Sequence, residues 1–263
     1  MSYKEIEEKN LSFDIPLFTN SRNWVENVKS KYSSTFSSEL IDAILTRLSQ
    51  ASKELNDPLV TSISKTRKDP FQILIATILS LRTKDEMTFK ASQRLFARAD
   101  TPKAILAIPI EELEEIIFSV GFYRQKAKTI HEICKRLIEE YAGNVPDTLN
   151  ELLSFKGVGR KTANLVITKG FDKPGICVDI HVARITQRIG IVPIKGEKEN
   201  KPIFHDADQV EMILRKILPK KWWIPINDIL VRWGQNTCTP ISPKCSQCVI
   251  NDSCSRIGVQ KHR

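Results

Sequence analysis

Phe155-Lys156-Gly157-Val158-Gly159-Arg160-Lys161-Thr162-Ala163-Asn164 decides how this 263-residue chain is read. Two glycines, one residue apart, interrupt any helix before them, and Arg160 to Lys169 then runs without a breaker to Gly170. The pattern predicts a helix, a tight turn and a second helix. Glycines in such a turn allow φ > 0 and close approach of another surface. The turn's N–H groups and the next helix's N-terminus form an anion site that suits a phosphate. Lys161 falls in the first turn of that helix, where a cation is disfavoured. The helix terminus and neighbouring Arg160 both oppose its ammonium form, and a lysine that releases its proton easily is a nucleophile. By itself a G-x-G turn more often marks a glycine cap beside a solvated Arg-Lys pair. Its company changes the reading: Cys177-Val178-Asp179-Ile180-His181 follows, and spaced cysteines close the chain.

Working outward, the chain reads all-α. Leu40, Ile41, Ile44, Leu45 and Leu48 recur at helical spacing within Glu39 to Leu55, with Ser37 or Ser38 as cap. Asn56 to Asp69 reads as a loop. Asp69-Pro70 starts a helix whose body, FQILIATILS, is apolar nearly all round and therefore central. A polar loop, Leu81 to Asp85, leads to a helix ending near Ala99. Thr101-Pro102 caps a short helix that Pro109 ends. Ile110 to Val120 is helical until Gly121, and Phe122-Tyr123-Arg124 sit in the following turn. The next helix runs to Ala142 with Ile130, Ile133, Leu137, Ile138 and Tyr141 facing inward. Asp147 is placed to cap the helix that enters the glycine turn. After Asp179, HVARITQRIG is a helix ending at Gly190; Asp206 to Pro219 and Ile226 to Asn236 give two more. No run of period two predicts a strand, and 191–205 reads as a polar loop. Residues 1–38 read as an appendage with a Ser-rich end, of which Phe13, Ile15, Leu17, Phe18 and Trp24 can dock on the body.

The formal net charge of +9 favours a polyanionic partner, nucleic acid first. No apolar run is long enough to cross a bilayer. The N-terminus MSYKEIEEKN lacks the features of a secretory signal or transit peptide, which makes the cytoplasm, with nucleoid association through DNA, the expected location. There, cysteines are thiols or ligands sooner than disulfides. Cys134 and Cys177 read as buried small hydrophobes. Cys238, Cys245, Cys248 and Cys254 form C-x6-C-x2-C-x5-C, with Cys245 and Cys248 as the close pair. Thiolates so arranged hold tetrahedral zinc or an iron–sulfur cluster. The unequal gaps and the single C-x2-C fit a cubane cluster better.

Taken together, FKGVGRKTAN, CVDIH and the four-cysteine spacing resemble the endonuclease III family of helix-hairpin-helix DNA glycosylases with a [4Fe-4S] cluster, over roughly Ile41 to Cys254. The resemblance implies a two-lobed all-α fold. A six-helix barrel would hold 64–153, and a discontinuous hairpin and cluster domain would take 39–63 and 154–263. DNA would lie across the cleft. It implies that Lys161 is the nucleophile, Asp179 the catalytic carboxylate, and Cys238, Cys245, Cys248 and Cys254 the cluster ligands. Gly157, Val158, Gly159 and Arg160 would grip DNA phosphate. Phe122 would be a wedge in the base stack. Arg82 stands where many members carry a glutamine that fills the gap left by the flipped base, a departure that bears on opposite-base and lesion preference.

The implied activity is base excision: removal of damaged bases, oxidised pyrimidines by family default, and β-elimination at the abasic site through a lysine imine. Double-stranded DNA with damaged or abasic sites would be the partner of a monomer. A monofunctional mismatch or uracil glycosylase is the nearest alternative, and Lys161 speaks against it. A non-catalytic helix-hairpin-helix module is an alternative of another class, and it leaves Lys161 and Asp179 unexplained.

Overall fold

Alternating caps and breakers divide the chain into short helices. The computed structural model describes residues 36–58, 60–61, 68–199 and 201–263, and Ser37–Arg263 form one unit. The readings for Phe13, Ile15, Leu17, Phe18 and Trp24 lie outside the described residues. Helix α1 (Ser38–Ala51) is capped by the Ser37 side chain. It ends before the expected Leu55, and Val60 and Thr61, read as loop, are helical and buried.

Helix α2 (Pro70–Ser80) starts as expected: Asp69 accepts from the backbone N–H of Phe71 and Gln72, and proline supplies the first turn. Every residue from Phe71 to Leu79 is buried, so α2 is the central rod. Around it come α3 (Asp85–Arg98), α4 (Pro102–Leu106), α5 (Ile110–Ile117), α6 (Tyr123–Tyr141) and α7 (Leu149–Ser154). Helix α8 (Arg160–Gly170) packs along α2 and buries Ala163, Leu165, Val166 and Ile167 in the same core. Gly170 lets it approach closely, since a Cβ there would stand 3.1 Å from Pro70. Helix α9 (Ile180–Ile189) packs against α10 (Ala207–Ile217) and α11 (Ile226–Asn236), and α11 against α1.

Three local expectations are corrected. Thr148, not Asp147, caps α7 by accepting from Glu151 N–H; Asp147 pairs instead with Lys173 at 2.5 Å. Ile138 is exposed on α6, and Cys134 takes the inner position, because the stripe runs through 130, 133, 134 and 137. The segment read as a polar loop contains an antiparallel hairpin, β1 (Gly196–Lys198) with β2 (Lys201–Ile203), pairing Gly196 with Ile203. Its strands are three residues each, too short for alternation to register in sequence. Cys134 and Cys177 are buried as expected, and burial pushes both thiols up to about 12.

Candidate active site and cluster-binding loop

The glycine turn divides its work between two residues. Gly157 is left-handed at φ 86°, and a Cβ there would meet the Thr129 methyl at 2.8 Å. Gly159 has an ordinary φ of −91°, and a Cβ there would find no atom within 4 Å. Folding therefore demands glycine at 157, whereas at 159 the only use for a missing side chain is approach from outside. Val158 is buried, so between the two glycines only backbone faces outward, with the exposed Lys156 side chain beside it. No side chain caps the N-terminus of α8, which leaves its first N–H groups to an external acceptor. Gly157→Ala should destabilise the fold by about 1–3 kcal/mol. Gly159→Ala should leave the melting temperature unchanged while DNA affinity falls on the order of tenfold. Thermal melts and a binding titration on both proteins check this.

Lys161, second in α8, is half-exposed, with Nζ 3.9 Å from Asp179 Oδ2. Asp179 is buried and caps α9: its Oδ1 accepts from His181 N–H at 2.8 Å and Val182 N–H at 3.0 Å. One carboxylate oxygen is thus fixed by backbone, and the other faces the lysine. Cys177 donates its thiol proton to the Lys161 carbonyl at 3.6 Å, and Asn227 donates to the Cys177 carbonyl at 3.2 Å. The first bond ties the segment before Asp179 to α8 and the second ties it to α11. The fold, not the sequence spacing, brings the amine and carboxylate together.

Arg160 turns away from this pair. Its Nε and Nη2 donate to Glu211 at 2.8 Å each, and Arg215 donates to the same carboxylate at 2.8 Å. Arg215 also donates to Asn164 at 2.9 Å, and Asn164 donates to the Arg160 carbonyl at 3.0 Å. The Glu211 carboxylate raises the Arg160 pKa above its ordinary value. Sequence reading missed Glu211; the available signal was a carboxylate beside the apolar stripe of Val210, Ile213 and Leu214. Glu211 is 2% exposed, so Glu211→Ala strands two guanidinium groups and should cost about 3 kcal/mol in chemical denaturation.

Arg82 and Phe122, forty residues apart in sequence terms and unlinked there, are neighbours: the guanidinium carbon lies 5.7 Å from the ring centre. Both are left-handed, at φ 53° and 58°, and Phe122 is 65% exposed. Gly121 was expected to stop α5 by its own backbone freedom. It has no positive φ; Phe122 adopts that conformation, and Gly121 is small because a Cβ would stand 2.8 Å from the Arg82 carbonyl.

The chain resembles known proteins in sequence and in fold. Residues 75–218 match the model of the HhH-GPD superfamily of base excision DNA repair proteins, and 238–254 match the iron–sulfur binding domain of endonuclease III. Endonuclease III of Thermotoga maritima is 45% identical over 186 residues, covering 71% of this chain and 83% of that one. The chain belongs to the endonuclease III family. A non-covalent endonuclease III–DNA complex superposes with a TM-score of 0.73 at 33% identity, over 84% of this chain and 96% of that one. A trapped endonuclease III–DNA covalent intermediate, with an estranged adenine, superposes with a TM-score of 0.71 at 32% identity, over 84% and 97%. The all-α helix-hairpin-helix glycosylase fold follows, and so does DNA binding. Among the described residues, no helix is long and apolar enough to cross a membrane.

The endonuclease III cluster belongs at the C-terminal cysteines. Cys238, Cys245, Cys248 and Cys254 line one pocket with Ile185, Trp233, Ile250 and Arg188. Four cysteines lining one pocket are the donor set that an iron–sulfur cluster takes. Burial pushes the thiols of Cys245, Cys248 and Cys254 up, so thiolates here need positive charge beside them. Iron would supply it, beside Arg188, whose Nη1 donates to Cys238 Sγ at 3.5 Å. The [4Fe-4S] group fits these residues.

Helix α9 runs from the Lys161–Asp179 pair to the cysteine pocket. Asp179 caps its first turn. Further along, Arg184 donates to the Cys238 carbonyl at 2.9 Å, and Arg188 to the Thr239 and Pro240 carbonyls at 2.7 Å each. Gly234 on α11 admits the His181 ring, for a Cβ there would lie 2.3 Å from Nδ1. Sequence reading missed both arginines, which sit in a helix of otherwise ordinary amphipathic pattern.

Proposed function

We propose that Lys161 and Asp179 carry out the two reactions of this base-excision glycosylase and abasic-site lyase, and that the hairpin backbone and the Arg82–Phe122 pair present the DNA to them. The observation that carries this reading is the 3.9 Å approach of the Lys161 amine to a carboxylate fixed at a helix N-terminus. The free oxygen of Asp179 can stabilise positive charge developing at the sugar, or take a proton from the lysine. The neutral amine attacks C1′; the C1′–base bond breaks and its electron pair leaves with the base. Loss of a proton from the attached nitrogen lets its lone pair open the sugar: the C1′–O4′ bond breaks, and O4′ keeps the electron pair and takes a proton. The protonated imine that forms draws electrons from C2′, whose proton is lost as the 3′ C–O bond breaks and its electron pair leaves with the phosphate. No metal is needed at any of these steps. The cluster, when bound, braces the loop that Arg184 and Arg188 hold.

Double-stranded DNA with damaged or abasic sites is the proposed substrate of a monomer in the cytoplasm. Gly157, Val158 and Gly159 would give backbone N–H groups to phosphate. Arg160 would add the guanidinium nitrogen that its Glu211 pair does not use. Phe122 would wedge the stack and Arg82 would take the place of the flipped base. In this reading α2–α7 make the barrel of 64–153, and 39–63 with 154–263 make the hairpin and cluster lobe. The lysine favours the bifunctional reading over a monofunctional mismatch glycosylase, although a thermostable thymine-DNA glycosylase also superposes at a TM-score of 0.69 and 25% identity.

A panel of duplexes containing thymine glycol, uracil, 8-oxoguanine or an abasic site tests the reading. Base release with coupled nicking, fastest on the oxidised pyrimidine, is expected. Base release without nicking or borohydride trapping would move the protein to the monofunctional class.

A further inference from the structure

Lys126 is a costly residue in its place. It lies in the first turn of α6, where a cation is disfavoured, and it is only 7% exposed. Burial pushes its amine down to about 8. Its partners are all uncharged oxygens: Nζ donates to the Leu79 carbonyl at 2.7 Å, the Leu81 carbonyl at 2.7 Å and the Thr83 hydroxyl at 3.0 Å. An ammonium has three N–H groups, and each is used. Leu79 and Leu81 close the C-terminus of α2, where carbonyls lack helical partners and a cation is favoured; α2 has no basic residue of its own in its last turn. Lys126 reaches across from α6 and serves as that missing cap.

The bonds continue to the opposite turn. Thr83 Oγ1 also accepts from Gly121 N–H at 3.0 Å, and Gly121 lies against the Arg82 carbonyl. Arg82 and Phe122 thus flank a chain of contacts that runs from Lys126 through the Thr83 hydroxyl to Gly121. A left-handed backbone at non-glycine residues is strained and persists only where its surroundings hold it, and both residues are in that state.

We propose that Lys126 is a positioning residue that staples the Leu81–Asp85 loop to the Gly121–Phe122 turn, so that Arg82 and Phe122 enter the base stack as one preorganised device. The inference rests on the assignment of those two side chains to the DNA. Two loops ordered separately would each lose entropy at the moment of entry; a stapled pair has lost it on folding. The staple therefore matters for opening a paired lesion and not for chemistry on a sugar already exposed.

The test compares base release from a duplex lesion with incision of an abasic site in single-stranded DNA, for Lys126→Met, Thr83→Val and Thr83→Ser, beside Arg82→Ala and Phe122→Ala. A 2-aminopurine next to the lesion reports opening of the stack. Lys126→Met and Thr83→Val should slow duplex base release at least tenfold and suppress the fluorescence rise, with single-strand incision within twofold of wild type. Thr83→Ser keeps the hydroxyl and should restore duplex activity. Should Lys126→Met fold poorly, Thr83→Val still removes the hydroxyl that joins the loop to Gly121 while leaving the buried ammonium its two carbonyls. Equal losses on both substrates, or none on the duplex, overturn the staple when Arg82→Ala and Phe122→Ala do discriminate. If those two variants fail to discriminate as well, the assignment of Arg82 and Phe122 falls and the staple falls with it.

Discussion

Lys161→Gln should abolish borohydride trapping on abasic DNA and lower strand incision on the order of 10⁴-fold, while binding of the same DNA persists. Glutamine keeps the length of the stem but has no amine to form an imine. Lys161 is half-exposed, and Cys177 and the α8 backbone hold its main chain, so the substitution removes chemistry without removing structure. Trapped product on a denaturing gel reads the result. A Lys161→Gln protein that still cross-links at the wild-type rate would falsify the nucleophile assignment and turn attention to Lys156, which is exposed one turn earlier and 3.9 Å from Glu132.

Asp179→Asn should slow base release on the order of 10²–10³-fold. The geometry separates its two roles. An asparagine oxygen can still accept from His181 N–H and Val182 N–H, so the α9 cap survives and with it the helix that carries Arg184 and Arg188. What is lost is the negative charge on the oxygen facing Lys161. Single-turnover base release measures the effect, and the visible absorption of the cluster should stay at wild-type intensity. Loss of the cluster band together with activity would mean that Asp179 acts chiefly as a cap.

The glycine turn, Lys161 at a helix start and the four-cysteine run were legible because each rests on local chemistry, whereas Asp179 was singled out only through the family resemblance. Glycine spacing, helix caps such as Asp69 and Asp206, and the C-x6-C-x2-C-x5-C run are short-range signals whose meaning does not depend on distant residues. Where caps competed, local rules did not choose. Thr148 took the place expected of Asp147 because Lys173, remote in sequence, draws that carboxylate away. Phe122 was legible as a turn residue after a helix stop, but its left-handed backbone was not, since glycine next to it was the obvious bearer of positive φ.

By itself the sequence determined the all-α class, the order of its helices, the position of Lys161 at a helix start and the thiols that gather at the C-terminus. Only the tertiary structure decided which charges meet. Glu211 reaches Arg160 across fifty-one positions, Lys126 reaches the end of α2 across forty-seven, and Arg184 reaches Cys238 across fifty-four. Periodicity marks the face a residue occupies but not the partner that waits there. A buried charge is tolerated only when a particular oxygen or guanidinium lies within hydrogen-bond reach, and the packing of separate helices alone sets that distance.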